Sequence, residues 1–205
     1  VYYPSRFRAS YLHKLGSLLS SQPGYRFIIV CGGGASARKA ISKLAEESER
    51  TKDLAGIAAV NENAKRVRAI LSQHLCCHAN VVSDHKRFPQ TSKHVVCGAY
   101  YPGHSTDWVA VSAAELLKAT MVINLSNTDY IYSKHPFEKD AAALNKLTWE
   151  EYAEIIGSAY TAGGHYPFDP VAASLAKRLS LTVYFLNGNK LSRLKRLLVS
   201  SDMAQ

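Results

Sequence analysis

The chain has 205 residues, of which 47% are hydrophobic and 20% charged, a composition typical of a folded globular domain. No run approaches the roughly 20 apolar residues of a membrane span, so we expect a soluble protein, cytoplasmic or in an organelle matrix. The formal net charge of +9 indicates either anionic partners such as nucleotides or RNA, or only a solvated basic face.

The four cysteines do not form the pattern of a disulfide framework. Cys31 and Cys97 end apolar runs, where a free thiol behaves as a small core residue. The string from His74 to His78 also contains Cys76 and Cys77, but neighbouring residues do not easily converge on one tetrahedral zinc centre. A reducing compartment without structural metal is the simpler interpretation.

The first quarter of the chain alternates helix, strand and helix. Leucines at helical spacing predict a helix across YLHKLGSLLSS, and the β-branched run RFIIVC at 26–31 predicts a strand buried on both faces. Three glycines, Gly32, Gly33 and Gly34, end this strand. The pattern from Ala35 to Glu49 then predicts a second helix.

The glycine turn partly fits a dinucleotide-binding fingerprint. Gly32, Gly34 and Ala37 satisfy G-x-G-x-x-A. The acid of that fingerprint should end a second strand, whereas Asp53 precedes GIAAVNENAKRVRAIL, which predicts another helix. We therefore expect only that the turn lets the backbone approach a ligand and that Arg38 meets an anion; a tight turn beside a surface cation is the alternative.

The stretch from Gly98 to Leu117 has the pattern of an anion site. Short strands are expected at 78–82 and 94–97, and the second leads into a loop and a helix that begins near Asp107. Unpaired N–H groups at such a helix start attract anions. The loop adds the donors His104, Ser105 and Thr106. The alternative for Asp107 is a helix N-cap.

The helix after Asp107 is apolar nearly all round and is expected to be buried, and TMVINLS at 120–126 follows as a strand. This alternation predicts a mostly parallel sheet with helices on both faces. The loop after the strand carries polar and aromatic side chains at Asn127, Thr128, Asp129, Tyr130 and Tyr132. Because ligands bind beyond the carboxyl ends of parallel strands, this loop is a second candidate site.

The last third continues the alternation. LTWEEYAEIIG predicts a helix with Thr148 as N-cap and Glu151 at the capping-box position. The glycine and proline loop TAGGHYPFDP precedes a helix from Asp169 to Leu179. LTVYFLNG is the last expected strand and LSRLKRLL the last helix, whose Lys190, Arg193, Lys195 and Arg196 cluster on a helix face.

Several strings together resemble the uridylate kinases of the amino acid kinase superfamily, most closely the archaeal-type branch. The strings are VCGGGASARKAI, DLAGI with NENA, PGHSTD, INLSNTDYIY and PFDPVAASLAKRL, in the family's order and spacing over about residues 10 to 198. The resemblance implies a three-layer α/β/α sandwich on a mostly parallel central sheet. It also implies phosphorylation of UMP by ATP with Mg²⁺, often in a homohexamer.

The resemblance also assigns roles to residues. Gly33, Gly34 and Arg38 match positions around the acceptor nucleotide and its phosphate, and Asp53 matches a contact on the ribose or uracil side. The loop that closes on the acceptor comprises His104, Ser105 and Thr106, and Asp107 matches the centre of phosphoryl transfer. The ATP side comprises Asn127, Thr128, Asp129, Tyr132 and Asp169. We expect one domain over residues 1–205, with an acceptor half to about residue 118 and an ATP half from about 119.

The sequence departs from the family pattern at several points. The family's first strand, with its glycine loop and lysine, has no counterpart from Val1 onward, so we expect it upstream or lost. Asn61 replaces an arginine, and His135 replaces an acid. These departures leave a second hypothesis open, a catalytically degenerate subunit with a structural or nucleotide-binding role in a larger, RNA-containing assembly. A small isoprenoid phosphate acceptor is disfavoured by the PGHSTD loop.

Overall fold

The computed structural model describes residues 7–84, 88, 89, 91, 93–134, 139–156 and 166–202. Seven helices and six strands are interspersed along this part of the chain. In order they are α1 (Ala9–Ser20), β1 (Ile28–Val30), α2 (Gly34–Ser42), α3 (Glu49–Leu71), β2 (Val95–Cys97), α4 (Thr106–Leu117), β3 (Val122–Ser126), β4 (Ile131–Tyr132), β5 (Ala143–Leu144), α5 (Trp149–Ile156), α6 (Pro170–Arg178), β6 (Val183–Asn187) and α7 (Leu191–Asp202).

The strands that carry the fold run parallel. β1 pairs with β2, with Ile28 opposite Val95, and β3 pairs with β6, with Val122 opposite Val183. β4 and β5 form a short antiparallel hairpin that the sequence pattern did not predict. The expected α/β architecture with parallel strands is confirmed.

Side chains alternate between two helical layers, as the period of two in a strand requires. On one face, Ile29 of β1 and Val96 of β2 pack in a core with α1, α3 and α7. On the opposite face, Val95 and Cys97 of β2 pack against α4. The same face of β6 packs against α5 and α6 through Phe185. The strands therefore lie between two layers of helices; β2 is fully buried, whereas β6 is only partly covered and its Tyr184 is 37% exposed.

The two parallel pairs border one apolar cavity of about 510 Å³. Ile28–Val30 of β1 and Val122–Leu125 of β3 line it, whereas β2 and β6 do not. In the part of the chain that the structure describes, β1 hydrogen-bonds in a ladder only to β2, and β3 only to β6. We call the space between the two strands the β1–β3 gap.

Two predicted boundaries were wrong around the second and third helices. α2 ends at Ser42, before the predicted Glu49, and α3 begins at Glu49, so Asp53 lies inside this helix instead of preceding it. The Ser48 side chain accepts a hydrogen bond from the Thr51 N–H and caps α3. This polar first stretch of α3 has no apolar periodicity, which is why the pattern placed the helix start too late.

The predicted strand at 78–82 is also wrong. Only isolated bridges form there, between Cys77 and His94 and between Val82 and Cys97. The His78 ring hydrogen-bonds to the backbone of Asn80, which turns the chain out of the ladder. The burial predicted for α4 holds for Val109, Val111 and Ala113, but Leu116 is 51% exposed.

Other local predictions are confirmed. Glu151 accepts hydrogen bonds from the N–H and hydroxyl of Thr148, and its own N–H donates back to that hydroxyl, which completes the capping box of α5. Cys31 and Cys97 are free and fully buried. No helix within the described residues is long and apolar enough to cross a membrane.

Candidate functional site

A second cavity, of about 310 Å³, lies where α2, α3 and the start of α4 meet. It brings together candidate residues that lie far apart in the sequence. Those lining it are Gly33, Gly34, Arg38, Asp53, His104, Ser105, Thr106, Asp107 and Asp169. We call this space the acceptor cavity.

The glycine turn forms one wall of the acceptor cavity. Gly34 begins α2 with φ of +55°, a left-handed conformation that favours glycine. A Cβ on Gly33 would lie 2.3 Å from the Cβ of Ala37, so only glycine fits there without displacing the helix. No side chain among the described residues caps α2, which leaves its first N–H groups available to an anion.

Helix α3 holds both glycine loops through polar side chains. Gly103 donates its N–H to Asp53 Oδ2, and Ala99 donates its N–H to Asn61 Oδ1 at 3.0 Å. Asn63 Nδ2 donates to the carbonyl oxygens of Gly32 at 3.3 Å and Gly33 at 3.0 Å. The loop after β1 and the loop after β2 are therefore fixed to one rigid element.

Sequence reasoning missed Asn63, and it treated Asn61 only as a departure from the family pattern. A signal for Asn63 was present, because it falls on the helical stripe formed by Val60, Ala64 and Val67, which are all buried. Asn63 is itself only 3% exposed. A polar side chain inside an apolar stripe needs a hydrogen-bond partner, which the glycine carbonyls provide.

The loop from Gly98 to Ser105 forms the opposite wall. Ser105 is the N-cap of α4, since its Oγ accepts a hydrogen bond from Trp108 N–H at 3.2 Å. Asp107 lies in the first turn of the helix, so the N-cap alternative for this residue was wrong. The His104 ring lines the cavity and packs against the Trp108 ring, with 4.1 Å between the ring centroids.

Asp107 and Asp169 form the floor of the acceptor cavity. The N–H of Asp169 donates to Asp107 Oδ2 at 3.1 Å, and Asp169 caps α6 by accepting from Ala172 N–H at 2.8 Å. Burial raises the pKa of Asp107 to about 6; the hydrogen bond from Asp169 opposes this rise, and the negative charge of Asp169 adds to it. A site with two adjacent carboxylates attracts a cation.

Asp169 was expected on the ATP side with Asn127 to Tyr132. The structure instead places it in the acceptor cavity beside Asp107. Its Oδ2 atom is buried and has no hydrogen-bond partner among the described residues. Asp169 therefore lies beside Asp107 in the lining of the acceptor cavity and not in the loop after β3.

The loop after β3 lies outside the lining of the acceptor cavity and is fastened to α7. Asp129 forms ion pairs with Lys190 at 2.8 Å and with Arg193 at 3.2 Å. Asn187 Nδ2 donates to the carbonyl of Asn127 at 3.4 Å. The Thr128 N–H donates to Ser126 Oγ, and Tyr132 lies in β4. His135, Gly163 and Gly164 fall outside the described residues.

Tyr152 of α5 fixes the chain that leads into Asp169. Its hydroxyl donates to the carbonyl of Phe168 at 2.6 Å and accepts from the N–H of Phe168 at 2.8 Å. Tyr152 is 2% exposed. Because Phe168 immediately precedes Asp169, this anchor sets the position of the carboxylate pair.

We expect Tyr152→Phe to lower both stability and activity. The substitution leaves the buried N–H and carbonyl of Phe168 without their partner, which costs about 2 to 4 kcal/mol. Urea denaturation would measure that loss. Steady-state kinetics should show kcat reduced by about tenfold through displacement of Asp169. An unchanged kcat in folded Tyr152→Phe protein would contradict the anchoring role.

Comparisons with known proteins agree on one group. The family model described as the amino acid kinase family matches residues 10–187. A uridylate kinase from Pyrobaculum arsenaticum is 33% identical over 181 residues, which cover 85% of this chain and 82% of that protein. The crystal structure of uridylate kinase from Archaeoglobus fulgidus superposes with a TM-score of 0.80 at 26% identity, covering 93% of this chain and 89% of that chain. UMP kinase from Bacillus anthracis, at 18% identity and a TM-score of 0.77, shares the fold over 95% of this chain and 85% of its own.

Proposed function

Because the chain belongs to the amino acid kinase family and, within it, to the uridylate kinases, we propose that it transfers the γ-phosphate of ATP to UMP, giving ADP and UDP. The relatives described above carry the names uridylate kinase and UMP kinase. The observation that carries the proposal is the acceptor cavity, where an anion-binding turn, Arg38 and a pair of carboxylates border one space.

In the proposed reaction the acceptor supplies its own nucleophile. An oxygen of the UMP phosphate forms a bond to the γ-phosphorus, and the bond from that phosphorus to the bridging oxygen of ADP breaks. No proton has to be removed from the phosphate dianion, so the protein has to align the groups and offset their charge. Arg38 and the N–H groups of Gly33 and Gly34 hold the acceptor phosphate.

We assign Asp53 to the ribose of the acceptor. Its Oδ2 holds Gly103, and its other oxygen is available to accept a hydrogen bond from a ribose hydroxyl. Ser105 is engaged as helix cap, so we assign Thr106 and His104 to closing the wall around the acceptor. The proposed site therefore uses both loops that α3 fixes.

The floor of the cavity fits Mg²⁺. This ion prefers oxygen ligands, keeps several waters, and binds through one or two carboxylates together with substrate phosphates. Asp107 and Asp169 supply two carboxylates, and the buried, unpartnered Oδ2 of Asp169 is an oxygen that a cation would satisfy. When bound, Mg²⁺ offsets the negative charge of the phosphoryl groups. Asp107 and Asp169 would hold it.

The donor ATP is assigned to the loop after β3. Asn127, Thr128, Asp129 and Tyr132 lie at the carboxyl ends of β3 and β4, where α/β proteins bind ligands. Lys190 and Arg193, which pair with Asp129, add positive charge at this edge for a polyphosphate. Sequence reasoning identified these two cations only as part of a helix face.

The wider predictions stay proposals. We place the enzyme in the cytoplasm or an organelle matrix, as a homo-oligomer, with an acceptor half to about residue 118 and an ATP half beyond it. The degenerate-subunit hypothesis gains nothing from the comparisons, whose reported relatives are named as kinases. Contact with RNA rests only on the net charge of +9.

An ADP-release assay with ATP, Mg²⁺ and a panel of acceptors tests the function. We expect turnover with UMP to exceed turnover with CMP, AMP, GMP and isopentenyl phosphate by at least about tenfold. The product should be identified as UDP by chromatography, since ATP hydrolysis alone also releases ADP. Absence of turnover with every acceptor would reject the kinase assignment, and preference for another acceptor would correct the substrate.

A further inference from the structure

We propose that Asn63 is a positioning residue for the acceptor phosphate, because its side-chain amide aims the N–H groups of the glycine turn into the acceptor cavity. This inference rests on the proposed function and names a residue on α3 that lies outside the lining of the cavity. Asn63 is 3% exposed, so its amide is committed to partners inside the protein.

The two hydrogens of the Asn63 amide meet two acceptors. Nδ2 lies 3.3 Å from the carbonyl oxygen of Gly32 and 3.0 Å from that of Gly33. Both partners can only accept, which assigns the nitrogen and not the oxygen of the amide to this side. One side chain therefore fixes the orientation of two consecutive peptide planes.

Peptide geometry determines where the donors of these planes point. In a planar trans peptide the carbonyl of one residue and the N–H of the next point in opposite directions. The described chain contains no cis peptide bond. Because the carbonyls of Gly32 and Gly33 face Asn63, the N–H groups of Gly33 and Gly34 point away from α3. Gly33 and Gly34 both line the acceptor cavity, so these N–H groups are directed at its contents.

Glycine makes this orientation dependent on Asn63. A residue without Cβ explores many backbone conformations, and a peptide plane between two glycines rotates easily unless a hydrogen bond holds it. The carbonyl of Gly33 also accepts from Ala37 N–H at 3.2 Å. Asn63 supplies the only side-chain hydrogen bond to the Gly32 carbonyl among the described residues.

Asn61 provides a matched comparison on the same helix. It also holds a glycine loop, but through the N–H of Ala99 in the opposite wall. Its removal disturbs the loop after β2 and leaves the carbonyls of Gly32 and Gly33 held. An effect specific to the phosphate should therefore follow loss of Asn63 and not loss of Asn61.

The test measures dissociation constants of UMP, uridine and inorganic phosphate by titration calorimetry on the full chain, for wild type, Asn63→Ala, Asn63→Ser and Asn61→Ala. The ratio of the uridine constant to the UMP constant reports the contribution of the phosphate. We expect Asn63→Ala to lower this ratio at least tenfold and leave uridine binding within about threefold, since hydrogen bonds to charged groups contribute about 1.5 to 3 kcal/mol. Asn63→Ser, whose hydroxyl donates one hydrogen bond, should be intermediate. Asn61→Ala should keep the ratio within about threefold of wild type.

Each outcome decides one question. An unchanged ratio in Asn63→Ala, or an equal weakening of UMP and uridine, would overturn the positioning role. If Asn63→Ala does not fold, Asn63→Ser carries the same comparison. If wild-type protein binds inorganic phosphate but binds UMP no more tightly than uridine, the proposed acceptor is rejected. The affinity of the variants for inorganic phosphate would still test Asn63. Wild type that binds neither UMP nor inorganic phosphate would reject both proposals.

Discussion

Asp107→Asn should abolish most activity while making the protein more stable at neutral pH. The neutral amide would remove one of the two carboxylates that would hold Mg²⁺, so kcat should fall by about 100-fold or more. Burial that raises the pKa of Asp107 to about 6 disfavours its charged form in the folded state. Removing that charge should stabilise the folded protein by about 1 to 3 kcal/mol at pH 7.5.

The pH dependence of this stability difference follows from the sign of the shift. The pKa is about 6 in the folded protein and 3.8 in an ordinary environment, so between these values the folded state binds a proton that the unfolded state lacks. Wild type therefore gains stability as the pH falls from 6 to 4, and the advantage of Asp107→Asn shrinks over this range. The negative charge of Asp169 contributes to the raised pKa of Asp107, so the two carboxylates have to be considered together.

Urea denaturation at several pH values and steady-state kinetics measure both effects. Glu115→Gln is the matched control, because it removes a carboxylate from the exposed face of α4 and should change neither quantity. Retention of kcat within about threefold in Asp107→Asn would reject the central role of this residue. A stability difference that does not depend on pH would reject burial as its cause.

Gly98→Ala should destabilise the protein and weaken acceptor binding. A Cβ on Gly98 would lie 1.8 Å from Asn61 Oδ1, a distance that real Cβ atoms do not adopt. Either the loop after β2 or the Asn61 side chain must move, and the hydrogen bond from Ala99 to Asn61 is then lost. We expect a loss of about 2 to 4 kcal/mol in the free energy of unfolding and a KM for UMP raised at least fivefold.

A double-mutant cycle identifies the cause. Asn61→Ala removes the atom that the new methyl group would contact, so the double variant should be less destabilised than the sum of the single variants by more than about 1 kcal/mol. Gly56→Ala in α3 is a control for stability alone, because Gly56 itself lines the acceptor cavity and its added Cβ would contact the flexible Ile41 side chain at 3.3 Å. Strict additivity in the cycle would show that crowding at Asn61 is not the origin of the effect.

The two loops of the site could be predicted from sequence because their signals are local. A strand followed by glycines and a helix start predicts an anion site wherever it occurs, and both VCGGGAS and VCGAYYPGHSTD have this pattern. The capping box of Thr148 and Glu151 is likewise contained in four residues. The parallel arrangement followed from the alternation of strands and helices.

The side chains that join these loops could not be predicted in the same way. Asn63 lies 30 residues from Gly33, and Tyr152 lies 16 residues from Phe168, so their pairing depends on how helices pack onto the strands. Composition and local sequence pattern do not specify which helix residue will face which loop residue. The start of α3 was missed for a different reason, since its first turns are polar and their helix is stabilised by the Ser48 cap and not by an apolar stripe.

The β1–β3 gap bears on the cooperativity of unfolding. In the described chain no β-ladder crosses from the β1–β2 pair to the β3–β6 pair, and helix α4 packs against both β1 and β3. One core also contains Ile29 and Val96 of the first pair together with Ile123, Leu125 and Leu186 of the second. The two pairs are therefore coupled through shared side-chain packing, and amide hydrogen exchange should show one level of protection across both pairs, which a substitution in either pair lowers.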